Sequence, residues 1–168
     1  PLSHYGASKL TAEKLVEEMS DSWAIARTVL VYGVADKMSR SNIVLWAKDA
    51  LEKGKAINVV NDQWRTPTLA EDLEDGCISI AKQKAKGFYN ISGEDFMSID
   101  ELVKRVADFW NLEASIISTV SSDTLNQPAK RPPRTGFILK KAKSELGYKP
   151  HSFEEGLAVV DQQLKKGE

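Results

Sequence analysis

Short apolar runs rich in β-branched residues alternate along this chain with longer segments whose apolar positions recur at helical spacing. That alternation restricts the fold more than any other feature. Trp23–Tyr32 (WAIARTVLVY) is almost wholly apolar, as suits a strand buried on both faces in a parallel sheet, and Gly33 ends it. Ala56–Val60, Phe88–Ile91 and Ile116–Val120 read as further short strands, the last of them at a sheet edge. The periodicity predicts helices over Ser8–Met19, Asn42–Lys53, Leu69–Lys84, Ile99–Phe109, Ile138–Leu146 and Ser152–Leu164. Ser98 is placed to cap the fourth, with Glu101 at the capping-box position, Gly147 to end the fifth, and Ser152 to cap the sixth. Asp36–Arg40, Asn61–Thr68 and the Pro/Ser/Arg-rich Ser121–Gly136 read as loops. Strands alternating with helices predict an α/β fold, although with fewer strands than a complete doubly wound sheet holds.

Charge narrows the partners. With 23 basic and 24 acidic residues the net charge is −1, with no block of one sign. This argues against a broad electrostatic surface for nucleic acid or an anionic membrane, while a compact phosphate site built from two or three arginines remains allowed. The single cysteine, Cys77, precludes an intrachain disulfide and falls in an apolar helical pattern, so a buried thiol is expected. With only two histidines, no metal site is expected. No apolar run reaches the roughly 20 residues a membrane helix needs, and no signal peptide is visible, so the cytoplasm is the expected compartment. The chain starts at Pro1, and chemistry-bearing residues appear within its first ten positions, which reads as a piece of a longer protein.

Those first residues are Tyr5-Gly-Ala-Ser-Lys9, which set a phenol and an ammonium one helical turn apart on one face. Reducing a ketone requires a proton for the nascent alkoxide. A free tyrosine titrates near pH 10, and an ammonium beside a phenol favours release of its proton. The pair alone is a weak signal, because two common residues meet at one spacing by chance. Its company is stronger: YGASKLTAEKLV, then Arg27-Thr28-Val29-Leu30-Val31-Tyr32-Gly33, the Asn61–Thr68 run NDQWRTPT with Asp72 beyond it, Gly87–Gly93 (GFYNISG), Arg131-Pro132, and Leu146–Pro150 before Glu155-Gly156-Leu157. In order and spacing these segments resemble the extended short-chain dehydrogenase/reductase family, and within it the dTDP-4-dehydrorhamnose reductase group. The resemblance spans nearly the whole chain.

The resemblance implies the C-terminal part of a Rossmann-like doubly wound parallel sheet plus a small substrate-binding subdomain. Residues 1–33 would carry the catalytic helix and its following strand, and residues 34–168 mainly the substrate-binding region with returning sheet elements. It implies Tyr5 as proton donor, Lys9 as the residue that tunes it and holds the cofactor, Thr28 as a further cofactor contact, and NADP or NAD as the hydride source. Asn42, Arg65 and Arg131 become substrate-binding candidates. Guanidinium forks suit the diphosphate of a nucleotide sugar, whereas Asn42 reads equally as a helix-start residue. Arg134 is a lesser candidate. Trp64 fits a base-stacking residue or a loop anchor, and Trp23, Trp46 and Trp110 read as core. Arg27 either ends near the cofactor or pairs with a carboxylate. Leu30 stands where the group often has a tryptophan, which leaves the sugar open.

Two family parts have no match: the G-x-x-G-x-x-G loop that cradles the cofactor pyrophosphate and the Ser/Thr that polarises the carbonyl. The chain alone is therefore expected to be inactive. A sugar-nucleotide epimerase or dehydratase of the same superfamily, and a non-catalytic subunit keeping the fold, are the alternatives. A sheet with an open edge also makes a homo-oligomer plausible.

Overall fold

The computed structural model describes residues 1–35, 41–124 and 131–166, so the expected loop at Asp36–Arg40 and the middle of the one at Ser121–Gly136 lie outside the described residues. The chain opens on α1 (His4–Met19), which begins earlier than its apolar periodicity suggests because Ser3, not Ser8, is the cap: its Oγ accepts from Gly6 N at 3.2 Å. The whole Tyr5–Lys9 stretch is thereby helical. No residue of α1 is buried, and Leu2, Leu10, Leu15, Val16 and Met19 are exposed at the start of the chain and along it.

The expected Trp23–Tyr32 strand is two strands with different partners. β1 (Ala24–Arg27) pairs in parallel with β6 (Gly87–Asn90), and β2 (Val31–Tyr32) pairs in parallel with β5 (Thr68–Leu69). The break is at Leu30, whose left-handed φ of 50° turns the backbone between them. The Asn61–Thr68 segment, expected to be irregular, holds β4 (Trp64–Arg65) and leads into β5. β4 lies between β7 (Met97–Ser98, antiparallel) and β9 (Arg134–Thr135, parallel), while β3 (Ile57–Val60) pairs in parallel with β8 (Ile117–Val120). Two-residue strands are too short to show a period in sequence, which is why β4, β5 and β9 read as loop.

Helices α2 (Ile43–Glu52), α3 (Ala70–Lys82), α4 (Ile99–Phe109), α5 (Lys140–Leu146) and α6 (Phe153–Lys166) cover these strands. Their ends follow the capping residues. Ser98 Oγ accepts from Glu101 N, Ser152 and Glu155 exchange reciprocal bonds ahead of α6, and Gly147 ends α5 at φ 68°. The larger apolar core joins α2, α4 and α6 to β3 and to the β2–β5 pair, through Val44, Leu51, Val59, Leu69, Leu102, Val106 and Leu157. A second cluster, with Ile80, Tyr89, Ile91, Leu139, Leu146 and Tyr148, lies where α3 and α5 cover β6.

Two expected core residues are not there. Cys77 is exposed, because α3 turns its buried face through Asp72, Gly76 and Ile80, and Gly76 lies against the Ile91 methyl groups. Trp46 is 41% exposed, since Val44, Ala47 and Leu51 already supply the inward face of α2. Trp23 and Trp110 are half-buried. Trp23 meets Phe88 edge-on, and Trp110 Nε1 donates to Asp161 at 2.9 Å.

The start of α6 is fixed to α3 by a buried carboxylate. Asp72 Oδ2 accepts from His151 N at 2.9 Å, and its Oδ1 is 2.6 Å from His151 Nδ1. The hydrogen bond to Asp72 raises the imidazole above its ordinary range, with Glu155 and Asp75 adding to the shift. A raised folded-state pKa means that the contribution is complete below about pH 6.5, the unfolded value, and is lost as pH rises through the higher folded value. Melting temperature is therefore expected to fall over that window, and His151→Gln to flatten the profile. An unchanged slope in the variant would assign the pH dependence elsewhere.

Candidate active site

Because α1 starts at His4, Tyr5, Lys9 and Glu13 follow at successive i+4 positions along one stripe of the helix. Lys9 Nζ lies 5.4 Å from the centroid of the Tyr5 ring, so phenol and ammonium are neighbours, and Tyr5 is 72% exposed. The stripe forms one wall of a groove of about 510 Å³. β1 and the residue after it provide the opposite wall through Ile25, Ala26, Arg27 and Thr28, and Phe137 from the segment before α5 completes it.

Arg27 belongs to that wall and pairs with a carboxylate as well. Its Nε and Nη2 donate to Glu13 at 2.8 and 2.6 Å, and the guanidinium lies 4.4 Å from the Phe88 ring centroid. The fork bond holds the Glu13 carboxyl below its usual range and the guanidinium above its own. With Arg27 and Glu13 satisfying each other, Lys9 is the cation in the groove without an opposing carboxylate among the described residues. Thr28 Oγ1 is 3.3 Å from Thr68 Oγ1, and Thr68 in turn donates to Val29 O at 2.8 Å. One groove thus collects Tyr5, Lys9 and Thr28.

The other three candidates do not line it. Asn42 caps α2: Oδ1 accepts from Val44 N and Leu45 N, both at 3.1 Å, and Nδ2 donates to Gly33 O at 2.8 Å. Both acceptor lone pairs are used, leaving one amide proton uncommitted among the described residues. Arg65 is buried in the middle strand of its sheet, at 8% exposure. Burial depresses its guanidinium, and the charge of the exposed Arg131 adds to that. Trp64 points the other way from Arg65, as adjacent residues of a strand do. Arg134, its register partner, lies 4.8 Å over its ring. That stack occupies one face of Trp64 and anchors β9 to β4.

Three residues at these sites were not singled out from sequence. Glu13 was signalled by its i+4 spacing from Lys9, and Gln63 by its two-residue spacing from Arg65, which puts both on one face. Phe137 reaches the groove by a long-range approach that no local pattern encodes. Among the described residues, no cluster of three or more His, Cys, Asp or Glu could hold a metal ion, and no helix is long and apolar enough to cross a membrane.

Parallel strands joined through helices, with a Tyr-x-x-x-Lys pair on the helix facing the strand that follows, define a protein of the short-chain dehydrogenase/reductase class. The family model for the RmlD substrate binding domain matches residues 1–166, and the chain belongs to that family. The dTDP-4-dehydrorhamnose reductase of Bacillus anthracis, solved in complex with NADP, superposes with a TM-score of 0.87 at 26% identity, over 97% of this chain and 56% of that one. The "Probable low-salt glycan biosynthesis reductase Agl14" of Haloferax volcanii is 24% identical over 96% of this chain and 54% of its own length. Methionine adenosyltransferase 2 subunit beta of Xenopus laevis is 28% identical over 73% of this chain and 38% of its own. The chain therefore spans about half the length, or less, of these curated relatives.

Proposed function

We propose that this chain forms the acid-donating and substrate-binding part of an NAD(P)H-dependent reductase of a nucleotide-linked 4-keto sugar. The observation that carries this reading is the Tyr5–Lys9 pair, with the ammonium 5.4 Å from the ring centroid at a groove shared with Thr28. NAD(P)H would supply the hydride. Tyr5 would give its hydroxyl proton to the alkoxide oxygen as the carbonyl is reduced, and Lys9 would offset the charge left on the phenolate. A phenol, an ammonium and a hydroxyl around one groove fit the ribose hydroxyls next to a nicotinamide. A pyrophosphate cradle of the G-x-x-G-x-x-G type is not encoded in this chain.

Arg65 and Arg131 would meet the substrate diphosphate, and Asn42, its amide fixed by the α2 cap, would present its remaining proton to the sugar. Residues 1–33 would then belong to the cofactor-facing part and 34–168 mainly to the substrate-facing part. The test is NAD(P)H oxidation with a dTDP-4-keto sugar. The intact protein is expected to turn over and the 168-residue chain alone to be inert. No turnover by the intact protein with either cofactor would reject the reductase reading, and turnover by the isolated chain would reject the division of labour. The similarity to an adenosyltransferase subunit supports a second reading, a partner-binding subunit. A stable stoichiometric partner together with absent turnover would favour it.

A further inference from the structure

The most buried arginine near the proposed substrate site has no carboxylate partner among the described residues. Arg27 is forked onto Glu13, and Arg105, with a side chain 26% exposed, is forked onto Glu154 and approaches Asp95 at 3.5 Å. Arg65, at 8% exposure, contacts only neutral oxygens among the described residues. Nη1 donates to Trp64 O at 2.6 Å and to Pro133 O at 3.3 Å, and Nη2 donates to Gln63 Oε1 at 3.1 Å. Among the described residues, three of its five N–H groups are thereby directed, two remain uncommitted, and no carboxylate compensates the positive charge. A buried charge without a counter-charge is costly, so such an arrangement is retained where an anion arrives from outside.

The one side-chain acceptor is Gln63, 6% exposed. Its backbone is held apart from Arg65: the Gln63 carbonyl, just ahead of β4, accepts from Ile99 N at 3.0 Å at the start of α4, and its side chain meets the guanidinium through Oε1. We infer that Gln63 is a positioning residue whose neutral amide holds the Arg65 guanidinium in place while leaving its charge available to the substrate diphosphate. A glutamate here would accept the same hydrogen bond and make a stronger pair. It would also cancel the charge the diphosphate needs. The inference rests on the reading of Arg65 as a diphosphate contact given above.

The near-isosteric Gln63→Glu separates the two roles. Thymidine diphosphate binding to the intact protein, measured by calorimetry beside melting temperature, is expected to weaken about tenfold or more with stability unchanged or raised, because coupling between close buried charges exceeds about 1.4 kcal/mol. The salt dependence of binding is expected to flatten as one cation is neutralised. Arg65→Met distinguishes the failures. If Arg65→Met loses affinity and Gln63→Glu does not, Gln63 has no such role and the diphosphate contact stands. If Arg65→Met binds like the parent, the diphosphate contact falls and the role of Gln63 with it. Should Gln63→Glu not fold, Gln63→Met keeps the length and removes the acceptor. A loss of about threefold is then expected from the released guanidinium, and unchanged affinity overturns the inference.

Discussion

Replacing Tyr5 by phenylalanine is expected to cut turnover of the intact protein by about 10²–10⁴-fold, the usual range for loss of a positioned proton donor. The fold should not register the change. Tyr5 is 72% exposed, the cap of α1 is made by Ser3, and only a hydroxyl at the groove mouth is removed. Surface changes away from caps and cores usually shift stability within about 0.5 kcal/mol, so melting temperature serves as the internal control. Lys9→Met is expected to lower kcat as well and to raise KM for the dinucleotide, since the ammonium neighbours the phenol and lines the same groove as Thr28. A double variant should lose little more than Tyr5→Phe alone, because groups that act as one unit are not additive. A Tyr5→Phe protein retaining more than a fifth of its kcat would remove Tyr5 from the role of acid.

Local signals carried most of the architecture, because they are written in adjacent residues. The α/β alternation, the caps at Ser98 and Ser152, the stop at Gly147 and the Tyr5–Lys9 face all depend on neighbours within about one helical turn. What the sequence concealed depends on distant contacts. Leu30 adopts a left-handed conformation with no glycine to announce it, so one apolar run of ten residues became two strands with separate partners. β4, β5 and β9 exist only because other strands lie beside them. Cys77 and Trp46 look apolar and periodic, yet Gly76 and Ala47, smaller residues that allow close approach, hold the inward positions. The candidate site divides the same way. Tyr5 and Lys9 were legible as a motif, whereas Phe137 reaches their groove from far along the chain, and the neutral surroundings of Arg65 arise from Pro133, 68 positions away, and from Gln63, whose importance appears only once Arg65 is seen to be buried.

Gly93→Ala is expected to be the most destabilising of the conservative substitutions open to this chain. A Cβ at Gly93 would lie well inside van der Waals contact with the carbonyl oxygen of Pro67, so both clashing partners are attached to backbone. Neither strand of chain has room to retreat. Pro67 is fixed in φ and lies between β4 and β5, both paired. On the other side, Ser92 is fully buried, its hydroxyl 3.3 Å from Thr66 Oγ1 and its carbonyl accepting from Tyr148 Oη at 3.1 Å. Overpacking where nothing can relax costs about 3 kcal/mol or more, or roughly 6–12 °C in melting temperature for a chain of this size. Gly156→Ala offers the contrast. Its Cβ would strike the Tyr32 hydroxyl, the end of a side chain, and alanine in α6 regains about 1 kcal/mol of helix propensity. Tyr32→Phe should partly rescue Gly156→Ala, since the ring carbon beneath the hydroxyl would stand 3.0 Å from the new methyl group. No side-chain change can rescue Gly93→Ala. Because Pro67 adjoins both the strand that carries Arg65 and Thr68, the partner of Thr28, the same clash is expected to weaken diphosphate binding and cofactor affinity together. A Gly93→Ala protein melting within 2 °C of its parent would show that the Pro67 carbonyl yields, and that this crossing is not what holds the two poles of the site in register.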